Sequence, residues 1–217
     1  VTADASQRGP LVLGVLVSGS GTNLQAVIDA IAARRLEARI GVVVSNVAGA
    51  KALDRARAAG IPTAVVDHKA YASRQDFDAA VVETLRSHGA ECVVLAGFMR
   101  LVTPVLLGAF PDRVVNIHPA LLPAFPGVHA QAQALAYGVR VTGCTVHLVD
   151  AGMDTGPIVA QAVVSVLDDD DEEALRARIL EKEHELLPAV LQWIAEGRVE
   201  VHRPEGGARP RVRVRAH

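Results

Sequence analysis

Five short, nearly unbroken apolar runs organise the first half of the chain: LVLGVLVS (11–18), ARIGVVVSN (38–46), TAVVD (63–67), CVVLAG (92–97) and VVNIH (114–118). Segments with helical spacing separate the first four, one reaching about Arg34, one over KALDRARAAG and one from about Ser73 to His88. Strands apolar on both faces need cover on both faces, so the alternation predicts an α/β protein: an open, mostly parallel twisted sheet with helices on both sides. After His118 the pattern changes. VTGCTVHLVD (141–150) and GPIVAQAVVSV (156–166) are two β runs joined by a short glycine-containing loop, which predicts an antiparallel extension. A long helix is expected from about Asp171 to Glu196, its acidic start favourable at the positive end of the helix dipole. DDDDEE (168–173) reads as that solvated start, since no His or Cys flanks it at ligand spacing. The two Arg/Val alternations around EGG near the end read as an exposed hairpin. The expectation is one domain over 1–217, with a loose start over 1–10 and a hairpin or tail from about 198.

Composition narrows this little. Half the residues are hydrophobic but only 3% are aromatic, so the core is expected to be aliphatic. A net charge of −2 supplies no overall field toward nucleic acid or an anionic membrane. Cys92 and Cys144 lie in apolar runs and form neither a CxxC nor a disulfide framework, which suits a reducing compartment. No run reaches the roughly 18 apolar residues of a membrane helix, and a cytoplasmic location is expected.

The first run ends in SGSGTNL, where glycines and a helix start let backbone N–H groups approach an anion. Gly19 and Gly21 satisfy half of a GxGxxG fingerprint, but Leu24 stands at the third glycine position. The second run ends in Ser45-Asn46 with no acidic residue to hold a ribose, so a dinucleotide is disfavoured. A single phosphate on Gly21, Thr22 and Asn23 is the better ligand.

The fifth run ends in Asn-Ile-His-Pro. Alternation puts Asn116 and His118 on one face and Val115 and Ile117 on the other, and Pro119 stops the strand. In a parallel sheet, ligands bind beyond the carboxyl ends of the strands, and the loops Gly19–Asn23, Gly97–Leu101 and His118–Gly127 all lie there. Met99 and Leu101 then offer an apolar slot for a flat heterocycle. Asp154, on the loop between the two later β runs, is the carboxylate that could orient His118 and hold it charged. An amide donor, an imidazole and a carboxylate suit acyl transfer through a tetrahedral intermediate. No Ser or Cys sits in a nucleophile elbow, so direct transfer to an acceptor is expected. Two satisfied core polar groups would leave the same Asn116 and His118 pattern.

These motifs carry a resemblance. NIHPALLPAFPG followed by DTGPI, with VLAGFMR and GSGTNLQA upstream, resembles the folate-dependent formyltransferases over about residues 11 to 202. The resemblance implies a Rossmann-like formyltransferase fold. It also implies that 10-formyltetrahydrofolate, as co-substrate, gives its formyl group to the amine of glycinamide ribonucleotide in purine biosynthesis. Asn116 and His118 would stabilise the oxyanion, with His118 as general acid and Asp154 as its partner. The phosphate would sit on Gly21, Thr22 and Asn23, and Glu183 would hold the substrate's amino end. The pterin would lie along Met99, Arg100, Leu101 and Val102 and beside Asn116, under the loop of Asp150, Ala151, Gly152, Met153 and Asp154. Arg74 would lie near the folate's glutamate tail, and Thr145 and His147 near the reaction centre. No metal, nucleic acid or membrane partner is implied, and a homodimer is compatible with the family. Ala120 departs from the common Ser after the His-Pro pair, and Met153 differs from common choices. The alternatives are a formyltetrahydrofolate hydrolase and a catalytically inactive nucleotide-binding protein.

Overall fold

A computed structural model describes residues 9–207 and 209–216. The chain forms β1 (Leu11–Val17), α1 (Thr22–Ala32), β2 (Ala38–Ser45), α2 (Lys51–Ala58), β3 (Thr63–Val65), α3 (Arg74–Ser87), β4 (Cys92–Leu95), α4 (Pro104–Ala109) and β5 (Val114–His118). It continues through α5 (Ala130–Tyr137), β6 (Val141–Leu148), β7 (Ile158–Ser165), α6 (Glu172–Ala195), β8 (Val199–His202) and β9 (Arg211–Val214). Seven strands make one sheet in the order β3-β2-β1-β4-β5-β6-β7. β1 to β5 are parallel, and β6 and β7 extend the sheet antiparallel. Strand order therefore reverses between β1 and β4, where their C-terminal loops part to opposite sides and open a crevice.

Both faces of the sheet are covered. On one, Leu13, Val15, Val94, Val115 and Ile117 pack under α1, α2 and the Leu187, Leu191 and Ile194 stripe of α6. On the other, Leu16, Val93 and Val114 pack under Phe77, Val81 and Leu85 of α3 and Leu106 of α4. Within α6, Pro188 removes one backbone donor, yet the helix runs on because Leu187, Val190, Leu191 and Ile194 are all buried. Burying each such side chain is worth about 1.5–3 kcal/mol, enough together to outweigh a proline.

The described part of the tail forms the expected hairpin, β8 with β9, whose Val199, Val201 and Val212 lie against the core. α4 and α5 had no counterpart in the sequence reading, and the third strand is two residues shorter than expected. The loose start expected over residues 1–10 lies, for 1–8, outside the described residues. Among the described residues no helix is long and apolar enough to cross a membrane.

Candidate active site

Register builds the site. β5 and β6 run antiparallel with Asn116 opposite His147 and His118 opposite Thr145. Directly opposed residues point to the same face, so four polar side chains form one patch on the face away from Val115 and Ile117. Sequence alternation gives the first pair; the second needs the pairing register, which no local pattern encodes.

Thr145 anchors the loop that follows His118. Its hydroxyl donates to the Ala120 carbonyl at 2.6 Å and accepts from Leu122 N–H at 3.0 Å, while Gln161 donates to the same oxygen and to the Leu122 carbonyl. The loop then returns over the strand end, where the Phe125 carbonyl accepts from His118 Nε2 at 2.8 Å. The proton is thereby fixed on Nε2, and Nδ1 faces Asp154 Oδ2 at 3.5 Å. Asp154 also accepts from Gly127 N–H at 2.8 Å, and its other oxygen lies 3.7 Å from His147 Nε2. His147 Nδ1 donates to the Leu148 carbonyl, and its Nε2 lies 3.1 Å from the Asn116 amide nitrogen as well as facing Asp154. Asp154 itself sits in the left-handed region at φ 54°, held there by the loop it closes.

Burial is the largest influence on His118 and pushes its ring below the ordinary histidine range, against the opposing pulls of the Phe125 carbonyl and Asp154. Asp154 and the Phe125 carbonyl thus favour the charged ring, but by less than burial opposes it. Burial would raise the Asp154 carboxyl, but the His147 ring, Gly127 N–H and His118 together hold it below the usual carboxylate value.

This patch opens into a cavity of about 550 Å³. Met99 to Val102 form one stretch of its wall and Asp150 to Asp154 another, and the exposed Met99 and Met153 add apolar surface. Asp150 organises its loop by accepting from Gly152 N–H and the Thr155 hydroxyl. Asn23, also in the lining, donates to Glu183 at 2.9 Å, joining α1 to α6. Glu183 is 6% exposed, and burial lifts its carboxyl to about 7. Asn23 Oδ1 is a buried acceptor with no partner among the described residues.

Gly21 caps α1 at φ 72° with no side-chain bond, so first-turn N–H groups stay open to an anion. A Cβ there would lie 2.6 Å from the Ala52 side chain, so only glycine fits. Arg55 braces the loop by donating to the Ser20 carbonyl.

Of the expected site residues, Gly21, Thr22, Thr145 and Arg74 do not line the cavity. The first two stand beside Asn23 at the start of α1, Thr145 lies beneath the loop, and Arg74 is exposed at the start of α3. The cavity also takes in Gly127 to His129, Gln131, Arg176, Ile179 and Leu180. The α6 members had a legible signal, since 176, 179, 180 and 183 repeat at the spacing of one helix face. Gly127 ends a loop already expected at this edge, whereas Val128, His129 and Gln131 had no signal.

A family model for formyl transferase matches residues 12–191. Phosphoribosylglycinamide formyltransferase of Escherichia coli is 41% identical over 188 residues, which cover 87% of this chain and 89% of that protein. The trifunctional purine biosynthetic protein adenosine-3 of Drosophila melanogaster is 46% identical over 194 residues, 88% of this chain, but the chain spans only 14% of that protein's length. Among solved structures, glycinamide ribonucleotide transformylase 1 from Symbiobacterium toebii superposes with a TM-score of 0.90 at 51% identity, covering 96% of this chain and 95% of that one.

Proposed function

The chain belongs to the formyl transferase family, and we propose that it transfers the formyl group of 10-formyltetrahydrofolate to the amine of glycinamide ribonucleotide in purine biosynthesis. One observation carries this reading: Asn116, His118 and Asp154 meet in a cavity that is also lined by the apolar Met99, Leu101, Val102 and Met153 and by the Asn23–Glu183 pair. Two substrates of different character suit such a mixed lining, with their reacting atoms at the polar patch.

The formyl folate lies between the Met99–Val102 wall and the 150–154 loop. The ribonucleotide phosphate rests on the N–H groups of Gly21, Thr22 and Asn23, where the helix dipole favours an anion. Glu183 takes the amino end of the substrate; a buried carboxyl near neutrality ionises readily when a cation or strong donor arrives. The amine nitrogen forms a bond to the formyl carbon, and the carbonyl π pair moves onto oxygen. Asn116 turns its amide from His147 to that oxyanion, and a developing negative charge raises the affinity of His118 for a proton. Collapse breaks the bond from carbon to the folate nitrogen N10. The proton lost by the amine reaches N10 through Asp154 and His118, so the products are the formylamide and tetrahydrofolate. These steps use side chains alone. We propose further that the chain is a single catalytic domain, that it forms a homodimer and that it acts in the cytoplasm.

A spectrophotometric assay of 10-formyl folate deformylation, with and without glycinamide ribonucleotide, tests the reading. Ribonucleotide-dependent turnover is expected. Turnover that ignores the ribonucleotide would identify a hydrolase, and no turnover in either arm would leave an inactive binding protein.

A further inference from the structure

The wall formed by Met99 to Val102 has no regular structure of its own. It leaves β4 at Leu95 and enters α4 at Pro104. Side chains from distant parts of the chain hold both of its ends. At the first, Met99 N–H donates to the Ser18 hydroxyl at 3.0 Å, and that hydroxyl donates in turn to Asn46 at 2.7 Å. At the second, Thr103 N–H donates to Asp78 Oδ2 at 2.5 Å, and the Thr103 hydroxyl beside it also favours the charged carboxylate. That hydroxyl also caps α4 by accepting from Val105 N–H. Between the anchors, the Arg100 guanidinium stands 5.4 Å from the centre of the Phe77 ring, one residue before Asp78 on α3.

Asp78 is 2% exposed, Thr103 is 5% exposed, and Asp78 touches no part of the cavity. A buried carboxylate is costly unless its partners are well placed. An apolar residue of similar size would fill this position more cheaply if packing were all it supplied. The nearest partners of Asp78 are the N–H and hydroxyl of the residue that ends the cavity wall, with the Arg100 and Arg74 charges acting at longer range.

We propose that Asp78 is a positioning residue for the folate co-substrate: through Thr103 it fixes the height and direction of the Met99–Val102 wall, with Ser18 as the opposite anchor. This deepens the transferase reading and rests on it. The ribonucleotide end of the cavity hangs on Asn23 and Glu183, which belong to α1 and α6 and share no bond with Asp78. Loss of Asp78 should therefore be felt by one substrate only.

The test is steady-state kinetics with each substrate varied in turn, on wild type, Asp78→Ala, Asp78→Asn and Thr103→Val. Ribonucleotide-dependent turnover by the wild type is the premise, and its absence would defeat the transferase reading, not the positioning role. Given that turnover, Asp78→Ala should raise KM for the formyl folate about tenfold, with kcat and ribonucleotide KM within about twofold. Asp78→Asn, which still accepts from Thr103 N–H and can donate to its hydroxyl, should restore most of the folate KM. Thr103→Val, losing the hydroxyl that favours the carboxylate, should raise folate KM about threefold, and it remains informative if the alanine variant fails to fold. An unchanged folate KM in Thr103→Val or in folded Asp78→Ala would overturn the proposal. So would an equal rise in both KM values, which would mean general loosening.

Discussion

Asn23, in the first turn of α1, donates 2.9 Å to Glu183 in the middle of α6, so the first helix and the last are joined by a hydrogen bond in the lining of the cavity. Glu183 is buried, and its carboxyl is lifted from 4.5 to about 7 chiefly by loss of water. A carboxyl with a raised folded-state pKa contributes stability that is fully present below its unfolded value and is lost as pH rises through the folded one. Wild type should thus lose on the order of 3 kcal/mol from this residue between about pH 4.5 and pH 8. Glu183→Gln cannot ionise, so its stability relative to wild type should grow over that window. Urea denaturation at pH 5, 6, 7 and 8 reads the difference; parallel stabilities would show that Glu183 does not titrate there. The same variant should bind ribonucleotide about tenfold more weakly at pH 8, the ordinary signature of a site kept at a cost in stability.

His118 and Asp154 face each other at 3.5 Å, and the carboxylate is one of the influences that keep the imidazole from shifting further down. Removing that negative charge with Asp154→Asn favours the neutral ring, so the kinetic limb belonging to His118 should move to lower pH. Turnover should fall by two to four orders of magnitude in His118→Ala, the usual range for a lost acid–base group. The pH dependence of kcat in the two variants checks both statements. A limb that stays in place in Asp154→Asn would separate the pair.

How much of this arrangement could be read beforehand differs by element. Val115 and Ile117 against Asn116 and His118 were legible because strand alternation is local and β5 is buried on both faces. α4 carried a readable start, a Thr cap with Pro at the first helical position, although its six residues are too short to show periodicity. α5 carried none. AQAQALAY buries only Ala130 and Ala134, and glutamines spaced among alanines give no apolar stripe. Thr145 and His147 owe their positions to the β5–β6 register, a long-range pairing that residue types do not announce. Asp154 was expected to hold His118 charged, and the burial that opposes it was not legible for the same reason, because it depends on how the 119–127 loop covers the ring.

Thr145 supports that loop with one hydroxyl and three partners. Thr145→Val keeps the shape and removes the oxygen, leaving Leu122 N–H and the Ala120 carbonyl without their buried partner. Leaving such groups unsatisfied costs about 1–3 kcal/mol each. The variant should unfold at lower urea with an unchanged slope, and amides from Ala120 to Gly127 should exchange faster with solvent. Turnover should fall more than either KM rises, because the loop positions His118 through the Phe125 carbonyl. Wild-type exchange in this segment would show the loop is held by other contacts.

The two glycines of the loop between β1 and α1 make opposite predictions although they stand two residues apart. A Cβ on Gly19 would meet nothing within 4 Å, whereas on Gly21 it would lie 2.6 Å from the Ala52 side chain and 2.7 Å from its Cα. Gly21 is also at φ 72°, where an L-residue costs about 1–2 kcal/mol before any clash. The close contact includes backbone of α2, so relief requires the loop to lift away from that helix. Lifting it turns the first-turn N–H groups of α1 off the phosphate position. Gly21→Ala should therefore lose about 2 kcal/mol or more of stability and raise ribonucleotide KM at least tenfold, leaving folate KM near wild type. Gly19→Ala should be close to wild type in stability and in both constants. Titration calorimetry with glycinamide ribonucleotide separates affinity from turnover in both variants. Equal affinity in Gly21→Ala and Gly19→Ala would place the phosphate elsewhere than on this turn.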